Sequence, residues 1–425
     1  MGMSFGAGVV MASAPLFLMC MQLSLFESGA VPDEQEKFWV DLYRAYFMCR
    51  KGKRNAAASL AFERGFEGHL EDLGQSILDG SWRPGRSNAF IVNRPVKREI
   101  FAAPFADRVV HHWFIGHLNP FFERLFLPVS HACRKGMGTH RAIRQVAQDV
   151  DRISNGGCTE AWALKMDIQG FFMSIDRKRL WLRLSDFMAS VVRPSFSPFE
   201  FALLMQVGSR LVLSDPARFA NIRGSAWDWN GLPRDKSLFH AAPDHGLPIG
   251  NLTSQVLANF FLHPFDEWMV SRFPQCGYAR YVDDFMLVGK CPWKLRGAVS
   301  EVRAQLAEEF ALRLHPRKVK LQRVRHGVPF LGAVILPGRL LPDRRPRGSF
   351  RQTIHGFNRL AASEGEAVDA GLWDAAFRAS MNSHLGGLSQ TRSRRFRVRS
   401  WHQMGPLWQK RFVLATDAGK VQLRR

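Results

Sequence analysis

The spacing of hydrophobic positions changes along the chain, and each change predicts a different element. Between residues 34 and 82 the apolar side chains recur at helical intervals, as at Phe38, Leu42, Ala45 and Tyr46. Gly80 and Pro84 then predict the end of this helical segment. Further on, residues 163–167, 280–282 and 285–288 form short β-prone runs, which predict strands. The pattern as a whole therefore predicts both helices and strands.

Two adjacent carboxylates, Asp283 and Asp284, lie between two of these strand-like runs, as they would in a hairpin. Like charges side by side are costly, so the pair must be solvated, ion-paired or bound to metal. Taken alone, the dipeptide favours an exposed turn, because Asp is a common turn residue. A third carboxylate in a matching setting would favour metal.

Asp167 provides that third carboxylate, since it closes the strand-like run 163–167 and Gly170 follows shortly after it. If Asp167 converges with the Asp283–Asp284 pair, the three would suit two Mg²⁺ ions about 3.5–4 Å apart, an arrangement that catalyses nucleotidyl transfer. The alternative for Asp167 is a helix cap. Asp176 fits a cap better, and we place it outside the metal site.

Seven blocks of sequence in a fixed order resemble the reverse transcriptases, whose palm carries one Asp in a strand and a Tyr-x-Asp-Asp hairpin. The blocks lie at residues 94–112, 130–143, 164–176, 246–262, 278–289, 314–322 and 330–335. Within the block GLPIGNLTSQ, Gln255 follows Ser254 where many relatives have Pro. That detail is similar to the enzymes of diversity-generating retroelements and to defence-associated prokaryotic reverse transcriptases.

The resemblance implies a right-hand polymerase fold of the α+β class, with fingers, a palm built on an antiparallel sheet, and a helical thumb. We expect an N-terminal helical extension at 1–82, fingers at 83–163, a palm at 164–336 and a basic helical thumb at 337–425. Residues 213–245, rich in Asp, Asn, Gly and Pro, are interpreted as a loop insertion in the palm.

The resemblance also assigns roles around the incoming nucleotide. Asp167, Asp283 and Asp284, with the carbonyl of Ile168, are implied ligands of two Mg²⁺ ions. Lys97 and Arg98 are implied to bind the triphosphate, and the ring of Phe172 is implied to exclude a 2′-hydroxyl. Lys318 is implied to assist the departure of pyrophosphate. Gln255 is a further implied contact of the nucleotide. Phe171 is expected to be core. Lys320 and Arg317 are alternatives to Lys318 for this role. A solvated run of charges with no such role is also left open.

Nucleic-acid contacts are expected from three further places. A basic, glycine-broken loop suits phosphate binding, Gly250 and Ser254 are implied contacts of the template and primer, and the C-terminal basic region would follow a duplex edge if extended. The loop contains Arg134, Lys135 and Gly136, and the C-terminal region contains Arg394, Arg395 and Arg397.

Charge agrees with a nucleic-acid enzyme, since the chain has a formal net charge of +22. Residues 339–425 hold 17 Lys and Arg against 6 Asp and Glu, a surplus of 11 that is half of the total. Large aromatic residues in the same region, Trp373, Phe377, Trp401 and Trp408, indicate a folded helical thumb rather than a disordered arm.

Six cysteines show no zinc or disulfide spacing, which favours reduced thiols and a cytoplasmic location. The first 26 residues are apolar, but Ser, Gly and Pro interrupt them and no basic residue precedes them, so we expect an extended start or a buried helix rather than a membrane segment.

The sequence therefore predicts an RNA-directed DNA polymerase that uses two Mg²⁺ ions, an RNA template and deoxynucleoside triphosphates to make a DNA product. We favour a role in antiviral defence with a noncoding RNA. The alternatives are an error-prone enzyme of a diversity-generating retroelement, untemplated DNA synthesis, and a non-catalytic RNA-binding scaffold. An accessory protein or a second copy of the chain is left open as a partner, and no membrane is expected.

Overall fold

A computed structural model of the protein describes residues 33–52, 56–93, 96–364, 370–415 and 419–424. The predictions made for the apolar first 26 residues fall outside these ranges. Contacts between Cα atoms divide the chain into two compact units, and each unit is built from two separate stretches. The first unit combines the described residues up to Phe126 with Gly170–Leu262, and the second combines Leu127–Gln169 with the described residues from His263 onward.

The helices of the described residues, in chain order, are α1 Glu34–Arg50, α2 Ala57–Glu63, α3 Phe66–Leu78, α4 Phe105–Leu125, α5 Thr139–Ile153, α6 Phe171–Ser174, α7 Arg177–Phe187, α8 Pro198–Leu213, α9 Leu252–Phe261, α10 His263–Arg272, α11 Pro292–Phe310, α12 Arg344–Glu364, α13 Ala370–Ser389, α14 Arg394–Trp401 and α15 Pro406–Arg411. The strands are β1 Asn88–Val92, β2 Arg98–Ala102, β3 Trp162–Asp167, β4 Asn221–Ile222, β5 Gly277–Tyr281, β6 Asp284–Gly289, β7 Lys320–Arg323, β8 Val328–Phe330, β9 Ala333–Leu336, β10 Arg339–Pro342, β11 Phe412–Ala415 and β12 Lys420–Leu423.

The first unit packs helices α1–α4 and α6–α9 around aromatic side chains, beside the small sheet β2-β1-β4. Phe122 stacks on Phe126 and Phe187 and tilts against Phe260, so residues far apart in sequence share one core. The helical spacing predicted for residues 34–82 is confirmed by α1, α2 and α3, and α3 ends just before Gly80.

The second unit is organised by the antiparallel sheet β5-β6-β3-β7. The central strand β6 carries the apolar run Phe285–Val288, which is buried throughout because neighbours cover both faces and both edges. Helix α5 is amphipathic, and its apolar residues pack on β3, β5, β6, β8 and β9: they are Ala142, Ile143, Val146, Val150 and Ile153. This core fixes the sheet that presents the acidic residues.

The C-terminal part of the second unit has its own core. The rings of Phe377 and Trp408 stack at 4.4 Å between centroids and are fully buried, and Trp401 and Trp373 pack into the same cluster. Helices α12–α15 and the hairpin β11–β12 form this part, so the prediction of a folded helical region is confirmed.

The two compact units cut the chain at places other than the proposed subdomain boundaries, which therefore stay predictions. Residues 213–245 contain one two-residue strand and short 3₁₀ turns, as expected of a loop insertion. None of the helices in the described ranges combines the length and continuous apolarity needed to cross a bilayer.

Candidate active site

Three acidic residues meet at one end of the four-stranded sheet. Asp167 is the last residue of β3 and Asp284 the first of β6, and the two are paired in antiparallel register. Asp283 lies in the turn between β5 and β6, where its carbonyl accepts a 3.2 Å hydrogen bond from the amide of Ile168. The strand ends thus bring together side chains that are more than a hundred residues apart in sequence.

The electrostatics of this cluster favour a bound cation. Burial raises the pKa of Asp283 to about 6, and the neighbouring carboxylate of Asp167 adds to the effect. Burial also raises the pKa of Asp284, even though the ammonium of Lys165 opposes the change. The Oδ1 atom of Asp284 is buried and has no hydrogen-bond partner. Positive charge placed here would stabilise all three carboxylates.

Two lysines already contact these carboxylates. Lys318 Nζ lies 2.8 and 2.9 Å from the two oxygens of Asp167, and Lys165 Nζ lies 2.9 Å from Asp284 Oδ2. Lys318 is 45% exposed, so solvent weakens its ion pair. Lys165 and Lys318 therefore offset part of the negative charge of the cluster.

Carboxylate oxygens are the ligands that Mg²⁺ prefers, so the chemistry of Asp167, Asp283 and Asp284 fits this ion. The unpartnered Oδ1 of Asp284 agrees with that fit. Within the described ranges, however, no group of three or more His, Cys, Asp or Glu side chains is spaced to hold a metal. Lys318 contacts both oxygens of Asp167 and Lys165 contacts Oδ2 of Asp284, which leaves Oδ1 of Asp284 without a partner.

A buried ion pair lies behind the acidic hairpin. Arg280 on β5 and Asp266 on α10 are both fully buried, and two contacts of 2.7 and 2.5 Å join the guanidinium to the carboxylate. Tyr278 donates a 2.8 Å hydrogen bond to the same carboxylate, and Arg280 donates a 3.0 Å bond to Ser130. The four side chains form a buried polar network inside the second unit.

The same arginine braces the turn between β5 and β6. Val282 precedes Asp283 and has a φ of +59°, a left-handed conformation that is strained for a β-branched residue. Arg280 donates a 3.0 Å hydrogen bond to the carbonyl of Val282. The turn that aims Asp283 is thus held by a guanidinium that is itself fixed by burial.

The residues expected at the incoming nucleotide lie mostly in the first unit. Lys97 donates a 2.6 Å hydrogen bond from Nζ to the carbonyl of Asn230, and Arg98 is exposed at the start of β2. Phe171 is 2% exposed, as expected of a core residue, whereas Phe172 is half-buried. Phe172 packs against a cluster formed in part by the insertion.

Glu99 ties the insertion to the basic strand β2. Its carboxylate is 1% exposed and accepts hydrogen bonds from Trp229 Nε1 at 2.6 Å, from Ser237 Oγ at 2.7 Å and from the amide of Leu238. Next to it, Lys97 also contacts the insertion. The insertion is therefore part of the support of β2 rather than a peripheral loop.

The block GLPIGNLTSQ forms a turn and then α9. Gly250 has a φ of +126°, and a Cβ atom there would lie 3.0 Å from Ile100 Cγ2 and from Phe101 O. The close approach that requires glycine is thus made to β2. Ser254 is 2% exposed, so nucleic acid could reach it only through a cavity, whereas Gln255 is exposed. Their predicted contacts with template and primer stay predictions.

The basic residues predicted to bind nucleic acid have mixed settings in the second unit. Arg134 donates 2.7 and 2.9 Å hydrogen bonds to the carbonyls of Leu127 and Ser130, so part of its guanidinium supports its own loop. The next two residues, Lys135 and Gly136, are exposed. Arg394, Arg395 and Arg397 lie on helix α14, so their alternation does not place them along one extended edge. Arg394 and Arg395 are exposed, and Arg397 is half-buried.

Sequence reasoning missed Lys165 and the pair formed by Arg280 and Asp266. Lys165 stands two residues before Asp167 on β3, so both side chains lie on one face of the strand, and that spacing was a usable signal. Asp266 follows no motif, and only the fold shows that it meets Arg280. Asp176, placed outside the metal site, caps α7 by accepting bonds from the amides of Lys178 and Arg179.

Comparison with known proteins gives the family. The sequence model of the family described as reverse transcriptase (RNA-dependent DNA polymerase) matches residues 97–335, more than half of the chain. Protein YkfC of Escherichia coli (strain K12) is 24% identical over 342 residues, which cover 72% of this chain and 79% of YkfC.

Two solved structures of apo telomerase from Candida tropicalis also resemble the chain distantly. The one truncated from its C-terminal domain has a TM-score of 0.42 and 10% identity, and covers 61% of this chain and 55% of its own. The other has a TM-score of 0.41 and 9% identity, with 61% and 49% covered. The chain thus spans about half the length of these telomerase chains.

The family match covers six of the seven ordered blocks in full and part of the first, and it includes all three acidic residues of the sheet. It confirms the predicted α+β fold of the right-hand polymerases and the predicted enzyme class, nucleotidyltransferase. The family generally uses divalent metal ions, in agreement with the donor set at the strand ends. The chain belongs to the reverse transcriptase family, whose members are RNA-dependent DNA polymerases.

Proposed function

We propose that this protein copies an RNA template into DNA, with Asp167, Asp283 and Asp284 as ligands of two Mg²⁺ ions and the carbonyl of Ile168 as a further ligand. The observation that carries the proposal is the pairing of Asp167 with Asp284, whose buried Oδ1 has no hydrogen-bond partner, next to Asp283 in the hairpin turn. Bound Mg²⁺ would supply the Lewis acidity that activates the primer 3′-hydroxyl and stabilises the pyrophosphate.

The test is primer extension on a defined RNA template with Mg²⁺ and deoxynucleoside triphosphates. The double variant Asp283→Asn/Asp284→Asn should lose nucleotide incorporation and keep its affinity for RNA. Asp186→Asn, which changes an exposed carboxylate outside the site, is the matched control and should extend the primer normally. Incorporation that survives in the double variant would contradict the assignment.

The same assay separates this proposal from its two alternatives. A non-catalytic scaffold would bind RNA and give no product with the unaltered protein. Untemplated synthesis would give product from enzyme freed of RNA by nuclease treatment, with a sequence that ignores the added template. Templated synthesis requires the product to be complementary to the RNA supplied.

Phe172 is proposed to exclude ribonucleotides by occupying the space that a 2′-hydroxyl would need. Phe172 is half-buried and lies beside the buried Phe171. This setting supports the role, because packing holds one side of the ring in place while the rest of the ring stays accessible. Phe172→Ala should raise ribonucleotide incorporation relative to deoxynucleotide incorporation. The control is Phe239→Ala, which removes an exposed ring of the neighbouring insertion. An unchanged sugar preference in Phe172→Ala would remove the residue from this role.

Lys97 and Arg98 are proposed to bind the triphosphate, and Lys318 to offset charge on the departing pyrophosphate. For Lys318 the support is its 2.8 Å contact with Asp167, which places its ammonium at the acidic cluster. Lys318→Ala should lower kcat strongly, whereas Lys320→Ala, an exposed lysine nearby, should not. Equal losses in both variants would favour a general basic surface instead.

Contacts with the nucleic acid are proposed for Gly250, Ser254 and Gln255, for the loop Arg134–Gly136 and for the arginines of α14. The net charge of +22 and the exposure of Arg394 and Arg395 support binding to phosphates. Arg394→Gln/Arg395→Gln should weaken RNA binding and reduce its dependence on salt. An unchanged salt dependence would exclude α14 from the interface.

The biological role that we favour is antiviral defence with a noncoding RNA as template. The segment before residue 83 and the insertion 213–245 support it, since a minimal retroelement enzyme needs less chain. Sequencing the nucleic acid that copurifies with the protein tests the role. A template–variable repeat pair with substituted adenines would instead favour a diversity-generating retroelement, and there Gln255→Ala should change the error rate.

A further inference from the structure

The first unit contains a cavity of about 210 Å³ that the proposed chemistry does not use. The loop before β1, helices α4, α7 and α9, and the segment after α8 line it. Two of the side chains that line this cavity carry buried polar atoms without a hydrogen-bond partner, Nε of Arg177 and Oγ of Ser254. Their residues are only 4% and 2% exposed.

An unpaired buried donor is costly, and such groups in folded proteins usually meet a ligand or ordered water. Arg177 cannot easily turn away, because its NH1 atom donates a 3.2 Å hydrogen bond to the carbonyl of His245. Ser254 is fixed on the first turn of α9. Each of these two fixed side chains therefore keeps one polar atom without a partner, although NH1 of Arg177 also lies 3.9 Å from Asp215 Oδ1.

The remaining lining argues against a phosphate as the occupant. The carboxyl groups of Asp107 and Asp215 both line the cavity and would repel an anion. His111 shares a 2.7 Å hydrogen bond with Thr253, and burial lowers its pKa to about 3, so its ring is neutral at pH 7. The apolar part of the wall comprises Leu211, Val212, Leu247 and Leu257. Apolar walls with a few fixed polar groups suit a flat heteroaromatic ring with a polar edge.

The exposed side of the lining carries an aromatic platform. Phe219 is 60% exposed, and the guanidinium of Arg218 lies 5.0 Å from the centroid of its ring. Arg86, which also lines the cavity, is exposed. An exposed ring beside arginines is a typical stacking surface for the unpaired bases of a single strand.

We propose that this cavity binds one unpaired nucleobase of single-stranded RNA, with Phe219 stacked on the base and Arg177 and Ser254 hydrogen-bonded to its polar edge. The proposal rests on the proposed use of an RNA template. It adds a base-binding site that is separate from the acidic cluster and from the triphosphate residues.

The test measures binding of the full chain to a single-stranded RNA that carries one 2-aminopurine, with no Mg²⁺ or nucleotides present. Phe219→Ala should weaken binding on the order of tenfold, since one base–aromatic stack contributes that much, and should lessen the quenching of the 2-aminopurine. Ser254→Ala, which removes only the hydroxyl, should also weaken binding. Leu213→Ala, an exposed change just before this segment, should leave binding unchanged.

Wild-type affinity and quenching in both Phe219→Ala and Ser254→Ala would overturn the proposal and leave a cavity filled with water. An equal loss of affinity for double-stranded RNA would overturn it too, because the site would then not recognise an unpaired base. Failure of the proposed catalysis is a separate result: Asp283→Asn/Asp284→Asn changes incorporation and leaves this binding difference intact.

Discussion

Arg280 gives the sharpest prediction about stability, because it is fully buried and pairs with a fully buried carboxylate. Arg280→Met keeps the length of the side chain but removes every hydrogen bond that the guanidinium makes to Asp266, Ser130 and Val282. The carboxylate of Asp266 then stays fully buried, and of the contacts described here it keeps only the bond from Tyr278.

Removing one partner of a buried ion pair typically costs about 3–5 kcal/mol, because the remaining charge is buried without compensation. A loss of this size is a large part of the stability of a typical protein. We therefore expect a lower denaturation midpoint in urea, followed by tryptophan fluorescence and circular dichroism. Arg272→Met is the matched control, since its 2.6 Å pair with Glu301 is exposed and should contribute at most about 1 kcal/mol.

A second change separates the ion pair from the brace on the turn. Arg280→Met/Asp266→Leu removes both charges and should recover most of the lost stability. It does not restore the hydrogen bond to the carbonyl of Val282, so kcat should stay low in primer extension. A single variant that loses less than about 1 kcal/mol, or a double variant that regains full kcat, would refute the reasoning.

Three further predictions follow from the first unit. Glu99→Ala leaves three donors of the insertion unpaired, at about 1–3 kcal/mol each, so limited trypsin digestion should cut faster at Arg234–Lys236 than in Glu99→Gln. Burial raises the pKa of Asp107 to about 6 from 3.8, so the folded state loses up to about 3 kcal/mol as pH rises from 4 to above 6; thermal unfolding of Asp107→Asn should lack this slope. Gly250→Ala should destabilise by over 1 kcal/mol in urea, whereas Gly297→Ala, with open space around it, should stabilise slightly.

Much of the acidic cluster could be predicted from local sequence. A strand that ends in Asp167 and a hairpin around Asp283 and Asp284 are signals within a few residues, and strand periodicity fixes which side chains share an edge. The helical periods of α1–α3 are local in the same way. The strain at Val282 and the partner of Arg280 could not be predicted, because both depend on residues that meet only in the folded chain.

The support of β2 and the basic region near the C-terminus show the same limit. Glu99 accepts bonds from residues about 130 positions away, and no local pattern marks it as an anchor. The alternating arginines would follow a duplex edge only if their segment were extended. The segment forms helix α14 instead, in which consecutive positions point in different directions. The hydroxyl of Ser254 belongs to a motif, yet its burial depends on the packing of α9.

The interleaved order of the two units has a consequence for how the protein is made. A ribosome releases β3 with Asp167 long before it synthesises β6, and the edge strand β7 emerges last of the three. The nascent chain must therefore hold an incomplete sheet while it makes Gly170–Leu262, which belongs to the other unit. A premature stop codon between Gly289 and Lys320 would leave β3 with β6 but without its other neighbour, β7.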